Sequence, residues 1–213
     1  SVATTYIGHR TGPRVLTGDI SRGSPMSIDA GILFCDVRNF TAMSENFSTD
    51  DVVRFMNRIF DCIGEATSQR GGEILKFMGD AVLIVFRRNK FESDPIMART
   101  IIEAVQESTQ AVAQLKLELP LDVSVGFGAH MGKVVYGNMG TADRLDFTVM
   151  GPAVNIAARL ETLTKKIGAT LAVSQEVAQF APELTSFGTH QLKGISEPIG
   201  VWGLRDGHAP GYG

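Results

Sequence analysis

Cysteine is nearly absent: Cys35 and Cys62 are the two in 213 residues. Both sit in apolar patterns, as small buried hydrophobes do, so no disulfide framework is expected. A reducing, cytoplasmic setting is favoured over secretion. No apolar run approaches the roughly 20 residues of a membrane-spanning helix. An excess of one charge sign is also missing. Twenty Lys and Arg stand against 23 Asp and Glu, a net charge of −3. No global basic field therefore directs the chain to nucleic acid or to an anionic membrane. The phosphate-loop pattern GxxxxGK[ST] and the dinucleotide pattern GxGxxG are absent. No Ser-His-Asp arrangement stands out, and His9, His130, His190 and His208 lack metal-ligand spacing. No internal repeat or low-complexity segment is visible. Ser1, not Met, opens the chain, as in a piece of a longer protein, and segments upstream stay open.

What is present is ordinary globular composition, 44% hydrophobic and 20% charged, enough to bury one sizeable core. Residues 1–27 are rich in Gly, Thr, Ser and Arg without a period and are expected to be a linker or N-terminal arm. A domain is expected over 28–205, with a short tail over 206–213. Ile28–Cys35 reads as a buried strand ending in Asp36. Phe40-Thr41 opens a short helical turn. Ser48-Thr49-Asp50-Asp51 starts a helix, with Val52, Phe55, Met56, Ile59, Phe60, Ile63 and Ala66 as its apolar stripe. Glu73–Phe77 and Ala81–Phe86 read as a hairpin about Met78-Gly79-Asp80. Ser93-Asp94-Pro95 starts a second long helix that Pro120 ends. Leu121–His130 is expected to be a strand, Gly132 a turn, and Lys133–Asn138 a strand pairing back. Arg144–Met150 is another strand, Gly151-Pro152 opens a helix, and Thr185–Leu192 and Ile199–Leu204 are late strands flanking Lys193-Gly194. The order predicts an α+β fold: a ferredoxin-like βαββαβ sandwich with extra C-terminal strands and helices on one face of an antiparallel sheet.

Two carboxylates stand out. Asp36 ends one strand and Asp80 tips the hairpin, and the central strands of a βαββαβ order lie side by side. A pair of carboxylates suits Mg²⁺, which completes its shell with water and phosphate oxygens. Each Asp alone is equally at home as a turn or cap residue. Asn155 and Arg159 are four apart on a predicted helix and share a face; a solvated face beside Glu161 is the plainer reading. Lys76 stands among apolar strand residues, where an unpaired Lys is rare. Lys133 and Lys193 follow or precede glycines at expected turns and, taken alone, read as surface lysines.

Five stretches together carry a resemblance: FCDVRNFT (34–41), LKFMGDAVLIVF (75–86), VGFGAHMGKVVYGNMG (125–140), FTVMGPAVNIAARLE (147–161) and LKGISEPIGVW (192–202). In this order and spacing they resemble the class III nucleotidyl cyclase catalytic domain, from about Ile28 to Trp202. The resemblance implies a ferredoxin-like fold and head-to-tail homodimers with active sites at the subunit interface. It implies two Mg²⁺ or Mn²⁺ per site, held by Asp36, Asp80 and the backbone carbonyl of Val37. Amides around Asn39, Phe40 and Thr41 would hold the triphosphate, with Lys193 and, where the family often has Arg, Lys133. Asn155 would position the ribose and Arg159 would steady the transition state.

Lys76 and Thr148 match the residues that read the purine. Guanylyl cyclases typically have Glu and Cys there. A Lys ammonium can donate to adenine N1, and a Thr hydroxyl can accept from the adenine amino group, so the pair favours ATP and implies an adenylyl cyclase. Thr at the second position resembles the subgroup that includes bicarbonate-responsive cyclases. Pro152 departs from the Asp or Asn that many members carry, without harm at a first helical turn. The alternatives are a catalytically silent nucleotide-binding dimerisation module and a guanylyl cyclase. A diguanylate cyclase would need a GG[DE]EF turn, which Met78-Gly79-Asp80-Ala81 is not. An N-terminal sensor or membrane region outside this chain is also expected.

Overall fold

The computed structural model describes residues 25–120, 122–140 and 145–207. Most of the expected residues 1–27 arm and of the 206–213 tail fall outside that range. Strand β1 (Met26–Arg38) is followed by the short helix α1 (Phe40–Asn46) and by α2 (Thr49–Ser68). Ser48 caps α2, its hydroxyl accepting from the Asp51 amide, and Asp50 and Asp51 lie in the positive first turn. Strands β2 (Gly72–Met78) and β3 (Ala81–Arg87) form the expected hairpin. Its two-residue turn puts Gly79 at φ +67°, a conformation that costs a glycine nothing. Helix α3 (Asp94–Glu118) is capped by Ser93 and has Pro95 in its first turn.

Strand β4 (Ser124–Gly140), strand β5 (Leu145–Met150), helix α4 (Pro152–Ile167), strand β6 (Ala169–Val173), helix α5 (Gln175–Ala178) and strands β7 (Thr185–His190) and β8 (Ile199–Arg205) complete the chain. The strands run in the order β2-β3-β1-β4-β6-β8-β7, with β5 pairing on β4. The β2-β3-β1-β4 portion is the ferredoxin-like arrangement expected from the order of elements.

Three expectations need correction. No turn falls at Gly132: β4 runs straight through it, with Met26 to Arg38 of β1 paired along its length. The expected pairing of 121–130 with 133–138 does not form, since 124–130 and 133–138 lie in this one strand; its antiparallel neighbour in sequence is β5, paired from Val135–Met150 to Gly140–Leu145. An unbroken ladder with β1 outweighs the local turn preference of one glycine. The sheet is not purely antiparallel, because β4 and β6 are parallel and α4 is the crossover between them. Nor do the helices share one face. Leu33, Val82, Ile84 and Phe127 pack with Ile59 and Ile63 of α2 and Ile101 and Val105 of α3. Ile32, Leu83, Val85 and Val134 point the other way and meet Ala153 and Ala157 of α4. The period-2 alternation of β1 and β3 feeds both layers.

Helix α4 lies very close to β4. A Cβ built on Gly128 would overlap the Glu161 amide nitrogen and the Ala157 carbonyl oxygen, both backbone atoms that cannot step aside. Gly128→Ala should therefore destabilise the fold by about 1–3 kcal/mol. Urea unfolding followed by circular dichroism measures this, and an unchanged midpoint would contradict the packing of α4 on β4.

Candidate active site

β1 ends where the β2–β3 turn begins. Asp36 is paired in register with Ala81 of β3 on one side and Gly126 of β4 on the other. Asp80 immediately precedes Ala81, so the two carboxylates adjoin. The Val37 amide donates to the Asp80 carbonyl at 2.9 Å, which ties the turn to the end of β1. Asp36 is buried. Burial pushes its carboxyl above the usual range, the hydrogen bond from Lys165 opposes that rise, and the nearby Asp80 charge adds to it. Two crowded carboxylates beside a backbone carbonyl are hard-oxygen donors suited to a divalent cation. Among the described residues no group of three or more His, Cys, Asp or Glu could form a full protein cage. A pair of carboxylates can hold a divalent cation that keeps water and substrate oxygens as its other ligands.

Three charged residues that the sequence did not single out surround this pair. The Lys165 ammonium donates to Asp36 Oδ2 at 2.7 Å. Glu161, one turn earlier on α4, is half-buried, and its Oε1 is buried without a hydrogen-bond partner. Burial, then the Asp36 charge, pushes the Glu161 carboxyl up to about 7. Arg38 bridges to Asp206 at 3.0 Å and donates to the Ala169 carbonyl at 2.5 Å. Asp206, the first residue of the expected tail, is thereby tied to the sheet, and its amide also bonds Gly168. The available signal was the spacing Glu161–Lys165, one helical turn apart on a helix whose stripe Ala153, Ala157, Leu160 and Thr164 is buried.

The remaining expected residues divide between two ends of the molecule. Asn39, Phe40 and Thr41 follow directly on β1, at the Asp36 end. Asn39 adopts φ +64°, and its side-chain amide donates to the Asp122 carbonyl at 3.0 Å. Lys133 lies elsewhere. It pairs in register with Asp29 and bridges to it at 3.2 Å, seven residues up β1 from Asp36, or about 23 Å of strand. Asn155 and Arg159 are exposed on α4. Asn155 is ten residues before Lys165, about 15 Å along the helix axis. Lys193 is exposed in the β7–β8 connection, with Gly194 at φ +79°. The directions of β4, β6, β8 and β7 put that connection at the end of the sheet away from Asp36.

Lys76 is exposed, contrary to the expectation of a buried strand, because β2 is the edge of the sheet. A register shift between Ile74 and Lys76 bends the strand there. Thr148, half-buried on β5, pairs opposite Gly137. Strands β2 and β5, which carry the two, are in contact. Both cysteines are free, Cys35 buried and Cys62 half-buried. No helix among the described residues is long and apolar enough to cross a membrane.

Comparison with known proteins bears on this geometry. The family model described as the adenylate and guanylate cyclase catalytic domain matches residues 25–204. An adenylate cyclase of Anabaena cylindrica is 34% identical over 182 residues, covering 82% of this chain and 36% of that protein. Adenylate cyclase 1 of Rhizobium meliloti is 32% identical over 178 residues, covering 80% of this chain and 26% of that one. The chain thus spans about a third or less of the length of these relatives. Among solved structures, a bacterial light-regulated adenylyl cyclase superposes with a TM-score of 0.80 at 29% identity, over 95% of this chain and 59% of that one. With its fold and its ordered motifs in agreement with this match, the chain belongs to the class III adenylate and guanylate cyclase catalytic-domain family.

Proposed function

We propose that this chain is an adenylyl cyclase catalytic domain that converts ATP to 3′,5′-cyclic AMP and pyrophosphate, in a site completed by a second copy. The observation that carries this reading is the convergence of Asp36 and Asp80 at adjoining strand ends. Two Mg²⁺ or Mn²⁺ held there, with the Val37 carbonyl, would acidify the ATP 3′-hydroxyl and neutralise phosphate charge. The 3′-oxygen attacks the α-phosphorus in line, its proton is lost, and pyrophosphate leaves. No side chain is assigned as a dedicated base.

The other residues act by positioning and electrostatics. Asn155 orients the ribose, and Arg159 stabilises charge on the α-phosphoryl oxygens. Lys193 and Lys133 take charge on the departing pyrophosphate, and the amides at Asn39, Phe40 and Thr41 hold the phosphate chain. Lys76 donates to adenine N1, and Thr148 accepts from the adenine amino group. The family includes enzymes for both purines, so the preference for ATP rests on this pair.

The homodimer is supported by the division of the site. In one chain Asp36 and Asp80 lie at one end, while Lys133, Asn155, Arg159 and Lys193 lie toward the other. Exposed apolar side chains accompany the purine-reading strands: Phe77 and Met78 about β2, Met150 on β5. They are of a kind that a partner subunit covers. The relatives are longer than this chain, and the proposal places an N-terminal sensor or membrane region outside it, with the domain itself in the cytoplasm.

Asp36→Asn and Asp80→Asn should each lower cyclic AMP formation by roughly 10²-fold or more with the circular dichroism spectrum unchanged. Near wild-type turnover in either would overturn the metal assignment. Lys76→Glu combined with Thr148→Cys should lower the ATP-over-GTP ratio of kcat/KM by about 10-fold or more; an unmoved ratio would remove this account of purine reading. Specific activity should rise with protein concentration and level off as dimer forms. Undiminished turnover by a species shown to be monomeric by light scattering would refute the shared site.

A further inference from the structure

The reading of Asp36 as a cation ligand leaves one contact unexplained. Its Oδ2 already accepts a hydrogen bond from the Lys165 ammonium at 2.7 Å. A divalent cation of the Mg²⁺ class sits about 2.1 Å from its oxygens. An ammonium on that oxygen and a cation beside it would be like charges at close quarters. For a cation to bind, the ammonium has to go somewhere else.

The structure supplies a second seat. Glu161 is one helical turn before Lys165 on α4, the spacing at which acid and amine side chains meet. Its buried Oε1 has no hydrogen-bond partner, and a buried unpaired carboxylate oxygen is costly to leave so. The Lys165 side chain is about half exposed, against 9% for Asp36, so it is the less confined partner of the pair. Arg38, the other cation nearby, is held by Asp206 and the Ala169 carbonyl.

Resting on the proposed cation site, we infer that Lys165 is a displaceable counter-ion of that site, a positioning residue whose ammonium moves from Asp36 to Glu161 when a divalent cation binds. With Asp36 and Asp80 alone, the end of β1 carries two adjoining carboxylates. With Lys165 on Asp36, the pair is partly neutralised. Transfer to Glu161 hands Asp36 to the cation and gives the orphaned oxygen its donor. The exchange sets the cation concentration at which the site fills, because the ammonium and the cation compete for the same carboxylate.

The test is Mn²⁺ binding in the absence of nucleotide, read from the electron paramagnetic resonance signal of free Mn²⁺ in titrations of the full chain. Wild type, Asp36→Asn, Lys165→Met, Glu161→Gln and the Lys165→Met/Glu161→Gln double variant are compared, each first shown to unfold at the wild-type temperature. Lys165→Met should bind Mn²⁺ about 3- to 10-fold more tightly, since a competing charge is removed. Glu161→Gln should bind it more weakly by a similar factor, since the ammonium loses its alternative seat. In the Lys165→Met background, Glu161→Gln should have much less effect, a non-additivity that marks direct coupling. Equal effects of Glu161→Gln in both backgrounds would reduce Glu161 to a distant charge and overturn the exchange. Unchanged affinity in Lys165→Met, with binding still lost in Asp36→Asn, would overturn the counter-ion role and leave the cation site standing. Mn²⁺ binding indifferent to Asp36→Asn would overturn both.

Discussion

The register of β1 between β3 and β4 is the constraint on which the rest of this molecule depends. Thirteen residues are paired on the β4 side and seven of them also on the β3 side. Because side chains alternate, a slip of one residue would exchange Leu33, Cys35 and Val37 for Ile32 and Phe34 in the α2–α3 layer. It would also carry Asp36 away from the start of β3. The register that buries two apolar faces is the register that sets Asp36 beside Asp80. Folding and the placement of the carboxylates are one requirement.

Burying Asp36 next to another carboxylate is expensive, and the structure offsets the cost locally. Burial and the Asp80 charge raise the Asp36 carboxyl, while Lys165 opposes them. Lys165 is raised in turn, chiefly by its hydrogen bond to Asp36. Glu161 shares the same negative surroundings, and burial together with the Asp36 charge pushes its carboxyl up to about 7. The charges at this end of the sheet form a group of five, Asp36, Asp80, Glu161, Lys165 and Arg38. Changing any of them changes the field at the others. The proposed cation site rests on this incomplete compensation of two adjoining carboxylates.

The long β4–β5 hairpin and the parallel crossover through α4 divide the proposed site residues between two ends of the chain. One end gathers Asp36, Asp80 and the turn after β1. The other carries Lys133, Lys193 and the amino-terminal half of α4. A helix of sixteen residues cannot bring Asn155 and Lys165 to the same point, and a strand cannot bend Lys133 back to Asp36. In the proposed dimer each chain contributes one end to each site. The apolar side chains that a single chain leaves exposed at Phe77, Met78 and Met150 have a use in that arrangement.

Much of this was legible in the sequence because it is encoded locally. Helix starts at Ser48 and Ser93, the glycine turn before Asp80, and the alternation of β1 and β3 are short-range patterns, and the motifs that mark the family are contiguous stretches. The neighbouring strands of a βαββαβ order also follow from element order, so the meeting of Asp36 and Asp80 could be expected. What only the tertiary structure decided involves partners far apart in the chain. Pairing with β1 kept β4 straight through Gly132, and the edge position of β2 exposed Lys76. The crossover of α4 onto the second face of the sheet placed Glu161 and Lys165 against Asp36, 125 and 129 positions away by their numbering. No local pattern specifies such a contact, because it exists only once two layers have packed and the register between them has been set.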